Sequence, residues 1–97
     1  MPVAIVMDFP GATLAQYDQV TGLMGLTPRG SGPPGALFHW VTKTDDGLRV
    51  VDVWESREQF DKFAHEEIGP KTQAAGIQVP PDMTFHDVHN YFTTRAA

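Results

Sequence analysis

The spacing of apolar and polar positions changes several times along the chain, and each change marks a predicted element. Residues 3–9 form an apolar run that only Asp8 interrupts, which predicts a first strand buried on both faces. Residues 13–26 then carry apolar side chains at helical spacing, behind a capping box formed by Thr13 and Gln16. The first third of the chain is therefore predicted to be a strand followed by a helix.

A hairpin is predicted in the middle of the chain, after a loop. Residues 28–35 read PRGSGPPG and form a loop by composition. Residues 36–44 and 48–54 are rich in β-branched and aromatic side chains and flank the dipeptide Asp46-Gly47, which favours a two-residue turn. We expect these segments to be the second and third strands.

The last third predicts a helix and a closing strand. Ser56 and Gln59 match a second capping box, and apolar residues follow at helical spacing as far as Ile68. One further helical turn is expected at residues 71–75, and residues 84–92 form the last predicted strand.

This element order predicts a single domain over residues 1–97. Strand, helix, strand, strand, helix, strand is the order of the ferredoxin-like fold, an α+β fold in which right-handed crossovers give a four-stranded antiparallel sheet. Both helices then lie on one face of the sheet. A chain of 97 residues supports one modest core.

The predicted hairpin is apolar on both faces, which indicates self-association. With a two-residue turn, His39 lies opposite Trp54 and Trp40 lies opposite Val53. Two helices can cover only one of these faces, and the sequence leaves open which one. An exposed face would form a large apolar patch, so we expect a homodimer that packs through its sheet faces.

Composition excludes several classes of protein. The net charge is -5 with only 7 Lys and Arg, so a nucleic-acid-binding surface is not expected. The chain has no cysteine, which excludes disulfides and thiolate metal sites and fits a reducing compartment. The apolar run at the N-terminus is too short to span a membrane and lacks the basic flank of a signal peptide. We therefore expect a cytoplasmic protein.

Two segments carry a resemblance to a known family. Residues 51–56 (VDVWES) with Phe60, and residues 86–92 (HDVHNYF), together with the element order, resemble the dimeric α/β-barrel superfamily. Within it, the chain is similar to the antibiotic-biosynthesis monooxygenase-type domains of small actinobacterial proteins. The resemblance covers nearly the whole chain and implies a dimeric α/β barrel with a pocket between the helices and the sheet of each subunit.

Members of this superfamily include cofactor-independent oxygenases acting on aromatic polyketides, polyketide cyclases, isomerases and haem-degrading enzymes. Two departures bear on the reaction. Monooxygenase-type members often carry a histidine nine positions after the junction tryptophan, where this chain has Phe63. Haem-degrading members carry a tryptophan and a histidine at the positions of Lys62 and Thr72, so haem degradation is disfavoured.

The candidate catalytic residues are polar groups on otherwise apolar strands. Buried carboxylates and imidazoles are costly unless they are paired, so they mark either structural pairs or a site. His39 near Asp52 is the best constellation, and a histidine held by a carboxylate can act as a general base. His89 is the second candidate base. Aromatic residues that could form the walls of a substrate pocket are Trp54, Trp40, Tyr17 and Tyr91.

Other patterns are weaker. Residues 30–35 spell GxGxxG, but they precede a strand and contain two prolines, so no cofactor is expected there. His65 lacks a second ligand four positions later, where the residue is Gly69. No metal site is expected, and His39 has a competing interpretation as a core or interface histidine with a satisfied hydrogen bond.

The sequence and the resemblance together predict a protein that binds a small apolar or aromatic metabolite. The expected activity is that of a cofactor-independent monooxygenase or cyclase on a polyketide-like substrate. Two alternatives stay open: a non-catalytic ligand-binding protein, and a structural dimer module that assists a biosynthetic enzyme.

Overall fold

The computed structural model describes residues 1–93. Its elements follow in the order β1 (Val3–Pro10), α1 (Leu14–Leu23), β2 (Ala36–Lys43), β3 (Gly47–Trp54), α2 (Arg57–Phe63), a π-helical segment (Ala64–Ile68), α3 (Gly69–Ala74) and β4 (Asp82–Asp87). The strands form one antiparallel sheet in the order β2-β3-β1-β4. This arrangement confirms the predicted ferredoxin-like α+β fold.

The core lies between one face of the sheet and the helices, and we call that face the inner face. Burial alternates along β1, whose side chains at every second position from Val3 to Phe9 are buried. Leu48, Val50 and Trp54 of β3 lie on the same face, and Phe60 of α2 covers it. The other face of β1 is only half-buried within one chain, so the prediction of burial on both faces was wrong for the single subunit.

Both predicted helix starts are found. At α1 the Gln16 N–H donates to the Thr13 hydroxyl at 3.1 Å and the Thr13 N–H donates to the Gln16 side chain at 3.0 Å, which completes the capping box. At α2 the Gln59 N–H donates to the Ser56 hydroxyl at 3.2 Å. The Gln59 amide, however, donates to Glu55 instead of returning to the Ser56 backbone, so the second capping box is only half formed.

The sequence predicted a break between the helix that ends at Ile68 and the helical turn at residues 71–75. The structure has no such break at Gly69-Pro70. Helical backbone continues through a π-helical segment into α3, in which Pro70 lies in the first turn. A proline ring inside an α-helix clashes with the carbonyl group four residues earlier. The wider π turn immediately before Pro70 moves that carbonyl aside, which explains how the helix passes the proline.

The hairpin register differs from the predicted one by two residues. His39 pairs with Asp52 and Trp40 pairs with Val51, because the two-residue turn is Asp45-Asp46, one position earlier than predicted, with the Thr44 N–H donating to the Gly47 carbonyl at 2.8 Å. Gly47 belongs to β3, where a side chain would collide with the Phe9 carbonyl oxygen, so the glycine serves close strand approach. A shift by an even number leaves the side chains from Phe38 onward on their predicted faces, and a bulge between Ala36 and Phe38 interrupts the alternation before that.

The closing strand is shorter than predicted. β4 ends at Asp87, and only the Val88 N–H continues the pattern by donating to the Pro2 carbonyl at 3.0 Å. His89 and Tyr91 therefore lie beyond the sheet and are exposed. The prediction that the last strand extends to residue 92 and contains them was wrong.

No helix within residues 1–93 combines the length and the apolar character needed to cross a membrane.

Candidate functional site

A cavity of about 550 Å³ lies between the inner face of the sheet and the helices. One wall is α1, which contributes Tyr17, and the floor is formed by β2 and β3. The residues that follow α1, from Leu26 to Pro33, border the same space, and Phe63 and Ile68 close the far side. The volume falls in the range of small-molecule pockets in proteins.

Four polar side chains form one hydrogen-bonded chain along this cavity. The Tyr17 hydroxyl is bonded to His39 Nε2, and the His39 Nδ1 atom lies 2.5 Å from Asp52 Oδ1. The second Asp52 oxygen accepts the Trp54 indole N–H at 3.1 Å. All four residues line the cavity.

The positions of these residues follow from the sheet. His39 and Asp52 are directly paired across β2 and β3, and neighbouring residues on one face of an antiparallel pair lie side by side. Trp54 follows Asp52 by two residues and so projects from the same face. Tyr17 reaches the pair from α1, and its ring lies end to end with the imidazole, with ring centroids 5.8 Å apart and planes 10° apart.

The carboxylate determines how the imidazole is protonated. Asp52 is buried, with 5% of its surface exposed, and as a carboxylate it can only accept hydrogen bonds. It therefore accepts Nδ1–H from a neutral His39, which leaves the lone pair on Nε2. The Tyr17 hydroxyl then donates to Nε2. Nε2 is then the imidazole nitrogen with a lone pair that faces the cavity, while the carboxylate holds the ring from behind.

Tyr17 is a proton donor in this environment. Burial raises the pKa of the Tyr17 hydroxyl above its ordinary value, and the negative charges of Asp52 and Asp18 raise it further. The phenol therefore stays protonated at neutral pH. Of the two groups in contact, His39 is the one that can accept a proton.

The indole of Trp54 is held rigidly from two sides. Phe60 packs edge-on against it with a centroid distance of 5.8 Å, and Phe63 packs at 5.1 Å. Trp54 has only 1% of its surface exposed, and its N–H is bonded to Asp52. The carboxylate is thus fixed by a rigid donor on one side and presents its other oxygen to His39.

The structure brings together four of the seven residues that the sequence singled out, namely Tyr17, His39, Asp52 and Trp54. Trp40 does not join them. It pairs with Val51 on the opposite face of the sheet and is absent from the cavity wall, so its assignment to this pocket was wrong. His89 and Tyr91, beyond the end of β4, do not line the cavity either.

The fold is similar to that of two proteins whose structures have been solved. The structure is similar to a mutant of SnoaB, a cofactor-independent oxygenase from Streptomyces nogalater, with a TM-score of 0.63 and 13% identity over 93% of this chain and 95% of that chain. It is also similar to a Deinococcus radiodurans protein provisionally assigned as an antibiotic-biosynthesis monooxygenase, with a TM-score of 0.59 and 10% identity over 99% and 100% of the two chains.

This chain has the fold of the antibiotic-biosynthesis monooxygenase-like proteins. The resemblance stated from the sequence is confirmed at that level. No family model matches the sequence, and no curated protein matches it. With identities this low, the similarity concerns the fold alone.

Within this monooxygenase-like fold, the wall formed by the second helix was missed by sequence reasoning. Phe63, Ile68 and Thr72 all line the cavity. The Thr72 hydroxyl donates to the Ile68 carbonyl at 2.7 Å, next to the π-helical segment. Helical spacing predicted an apolar stripe that includes Phe63 and Ile68, but it did not extend to Thr72, because the π turn changes the angle between successive side chains. The proline at position 70 was the available signal.

Among residues 1–93, no group of three or more histidine, aspartate or glutamate side chains is arranged to hold a metal ion. The side chains of His39 and Asp52 are hydrogen-bonded to one another. The segment that spells GxGxxG borders the cavity from Gly30 to Pro33.

Proposed function

We propose that this protein is a cofactor-independent monooxygenase that acts on an aromatic, polyketide-like metabolite bound in the cavity, with His39 as general base. The observation that carries the proposal is the bonded chain of Tyr17, His39 and Asp52 on the wall of a cavity of about 550 Å³. The shared fold with a cofactor-independent oxygenase supports the same class of reaction.

The proposed first step is abstraction of a proton from a phenol or an activated methylene group. His39 Nε2 takes the proton, and the Asp52 carboxylate stabilises the imidazolium that forms. The acidic hydrogen of the substrate would occupy the position of the Tyr17 hydroxyl hydrogen, because that hydroxyl donates to Nε2 in the free protein. Once the substrate displaces it, the protonated Tyr17 can donate to the negative oxygen of the substrate.

The subsequent oxidation needs dioxygen as the oxidant. The deprotonated substrate supplies the electrons, one oxygen atom enters the substrate and the other leaves as water, so that a methylene becomes a carbonyl. Cyclisation, the other reaction considered, begins with the same proton abstraction but consumes no oxygen. Oxygen uptake therefore distinguishes the two reactions.

The test uses a hydroxyanthrone, which carries both phenols and an activated methylene. We expect oxygen uptake that matches the formation of the corresponding quinone, measured with an oxygen electrode and by mass spectrometry. His39→Ala should lower kcat by about 10²-fold to 10⁴-fold, the usual contribution of a general base. His65→Ala is the matched control, because His65 is exposed on the second helix and outside the cavity wall.

Full activity of His39→Ala would remove His39 from the mechanism. Saturable binding without any chemical change would favour the non-catalytic ligand-binding alternative, and turnover without oxygen uptake would favour a cyclase. A structural module without a pocket is disfavoured by the cavity itself, since that alternative requires the interior to be filled with side chains.

We further propose that two copies associate through the outer face of the sheet, the face opposite the helices. Trp40 is 42% exposed there, beside the half-buried Val51 and Val53. Phe38 pairs with Val53, is 56% exposed and also borders the cavity. The Arg49 guanidinium forms two hydrogen bonds to Asp8 across the same face and lowers the pKa of that carboxyl. The part of this face formed by β2 and β3 is thus apolar, and its one arginine is paired with Asp8, which suits burial against a second copy. Sedimentation of the purified chain as a monomer at micromolar concentration would contradict the proposal.

A further inference from the structure

We infer that Arg29 is a specificity residue that binds an anionic substituent, such as a carboxylate, on the aromatic metabolite in the cavity. The inference rests on the proposed function, because it names the chemical class of ligand that the same cavity takes. Three observations carry it: the backbone conformation of Arg29, its place on the cavity wall, and the charges of the other residues there.

Arg29 occupies a backbone position that disfavours its side chain. The Gly30 N–H donates to the Thr27 carbonyl at 2.9 Å, and Pro28 and Arg29 are the two central residues of this turn. Arg29 has φ of 59°, so the turn is of type II, in which the second central residue is preferably glycine. A non-glycine residue in this region is strained, and such strain is concentrated at functional sites.

The same turn has glycine at the next position, Gly30, but not at position 29, where the backbone favours it. A side chain at Gly30 would displace the Thr27 hydroxyl and lie close to the Thr27 carbonyl oxygen, so glycine fits there with the least rearrangement. At the next position back, where glycine would relieve the backbone, the chain has a long cationic side chain. The side chain of Arg29, and not its backbone, is therefore the feature that needs a physical explanation.

Arg29 is exposed and borders the cavity, so it lies at the rim. It is the one lysine or arginine among the cavity-lining residues in the described part of the chain. No carboxylate within residues 1–93 pairs with it, since the ion pairs there involve other residues. A guanidinium at the rim of an apolar cavity presents a planar fork of donors that matches a carboxylate.

The remaining charges determine the orientation of the ligand. Asp52 and Asp18 also border the cavity, and both raise the pKa of Tyr17, so negative charge is concentrated near the Tyr17–His39 end. A second anion is disfavoured there. The anionic group therefore points to Arg29 at the rim, while a neutral phenol or methylene group faces His39 Nε2.

The test compares two aromatic probes that differ in charge, anthraquinone-2-carboxylate and anthraquinone-2-carboxamide. Binding is measured by isothermal titration calorimetry, and amide chemical shifts of Thr21 and Val50 report whether each probe enters the cavity. We expect the carboxylate to bind about tenfold more weakly to Arg29→Gly than to the unmodified protein, with little change for the carboxamide. Arg29→Lys should retain part of the preference.

Arg29→Gly separates stability from binding, because we expect it to leave the stability of the fold unchanged or higher while it weakens carboxylate binding. Glycine relieves the backbone at φ of 59°, so the thermal midpoint should be unchanged or higher while carboxylate binding falls. Adding salt should weaken carboxylate binding to the unmodified protein but not to Arg29→Gly. Equal affinity of the two probes for both proteins would overturn the inference and leave the proposed function intact. Failure of both probes to enter the cavity would count against the small-molecule site itself and against the inference with it.

Discussion

Replacing Asp52 by Asn should move the proton on His39 from Nδ1 to Nε2. In the unmodified protein the carboxylate accepts both Nδ1–H of His39, at 2.5 Å, and the indole N–H of Trp54, at 3.1 Å. Asparagine has a single oxygen acceptor, and the buried indole N–H still requires it. The asparagine NH₂ group then faces Nδ1 and donates to it, so the imidazole must carry its hydrogen on Nε2.

The size of the effect follows from the bond that is lost. A hydrogen bond to a charged partner contributes roughly 1.5–3 kcal/mol. Asp52 is buried, but the His39 side chain is 42% exposed, so the lower end of this range applies. About 1.5 kcal/mol corresponds to a preference of about tenfold for the Nδ1–H tautomer. The Nε2 atom of Asp52→Asn would then have no lone pair for a substrate proton.

The tautomer can be read directly from the imidazole nitrogen shifts in a long-range ¹H–¹⁵N correlation spectrum of histidine-labelled protein. The chain has four histidines, and a His39→Gln sample identifies the signals of His39. The reasoning would be refuted by an Nε2–H signal for neutral His39 in the unmodified protein. An unchanged tautomer in folded Asp52→Asn would refute it equally.

Two further predictions concern Tyr17 and the outer face. Because the folded-state pKa of Tyr17 is raised, the tyrosine contribution to stability is fully present below about pH 10 and is lost as pH rises through the folded value. Urea titrations at a series of pH values should show this loss of unfolding free energy in the unmodified protein but not in Tyr17→Phe. The same dependence of unfolding free energy on pH in both proteins would contradict the prediction. Trp40→Glu places a charge in the proposed dimer interface, so sedimentation should show a weaker dimer while the circular dichroism spectrum is retained; an unchanged dimer would exclude this face.

Much of the candidate site could be predicted from local pattern because a strand has a fixed side-chain period. His39, Asp52 and Trp54 were placed on one face although the predicted register was wrong by two residues, since an even shift preserves the faces. His89 and Tyr91 were misplaced because the predicted strand was extended past its actual end at Asp87. Nothing in their local sequence indicates where the neighbouring β1 ceases to offer backbone partners.

The sequence by itself determined the element order, the helix starts and the apolar hairpin, because caps, turns and periodicity are local properties of the chain. The tertiary structure alone decided which hairpin face meets the helices, and hence that His39 lines a cavity while Trp40 lies on the outer face. It also brought Tyr17 to His39, 22 residues away, and Arg29 to the rim. These contacts depend on how α1 and the loop that follows it pack against the sheet, which involves residues far apart in the chain, and no local pattern encodes that.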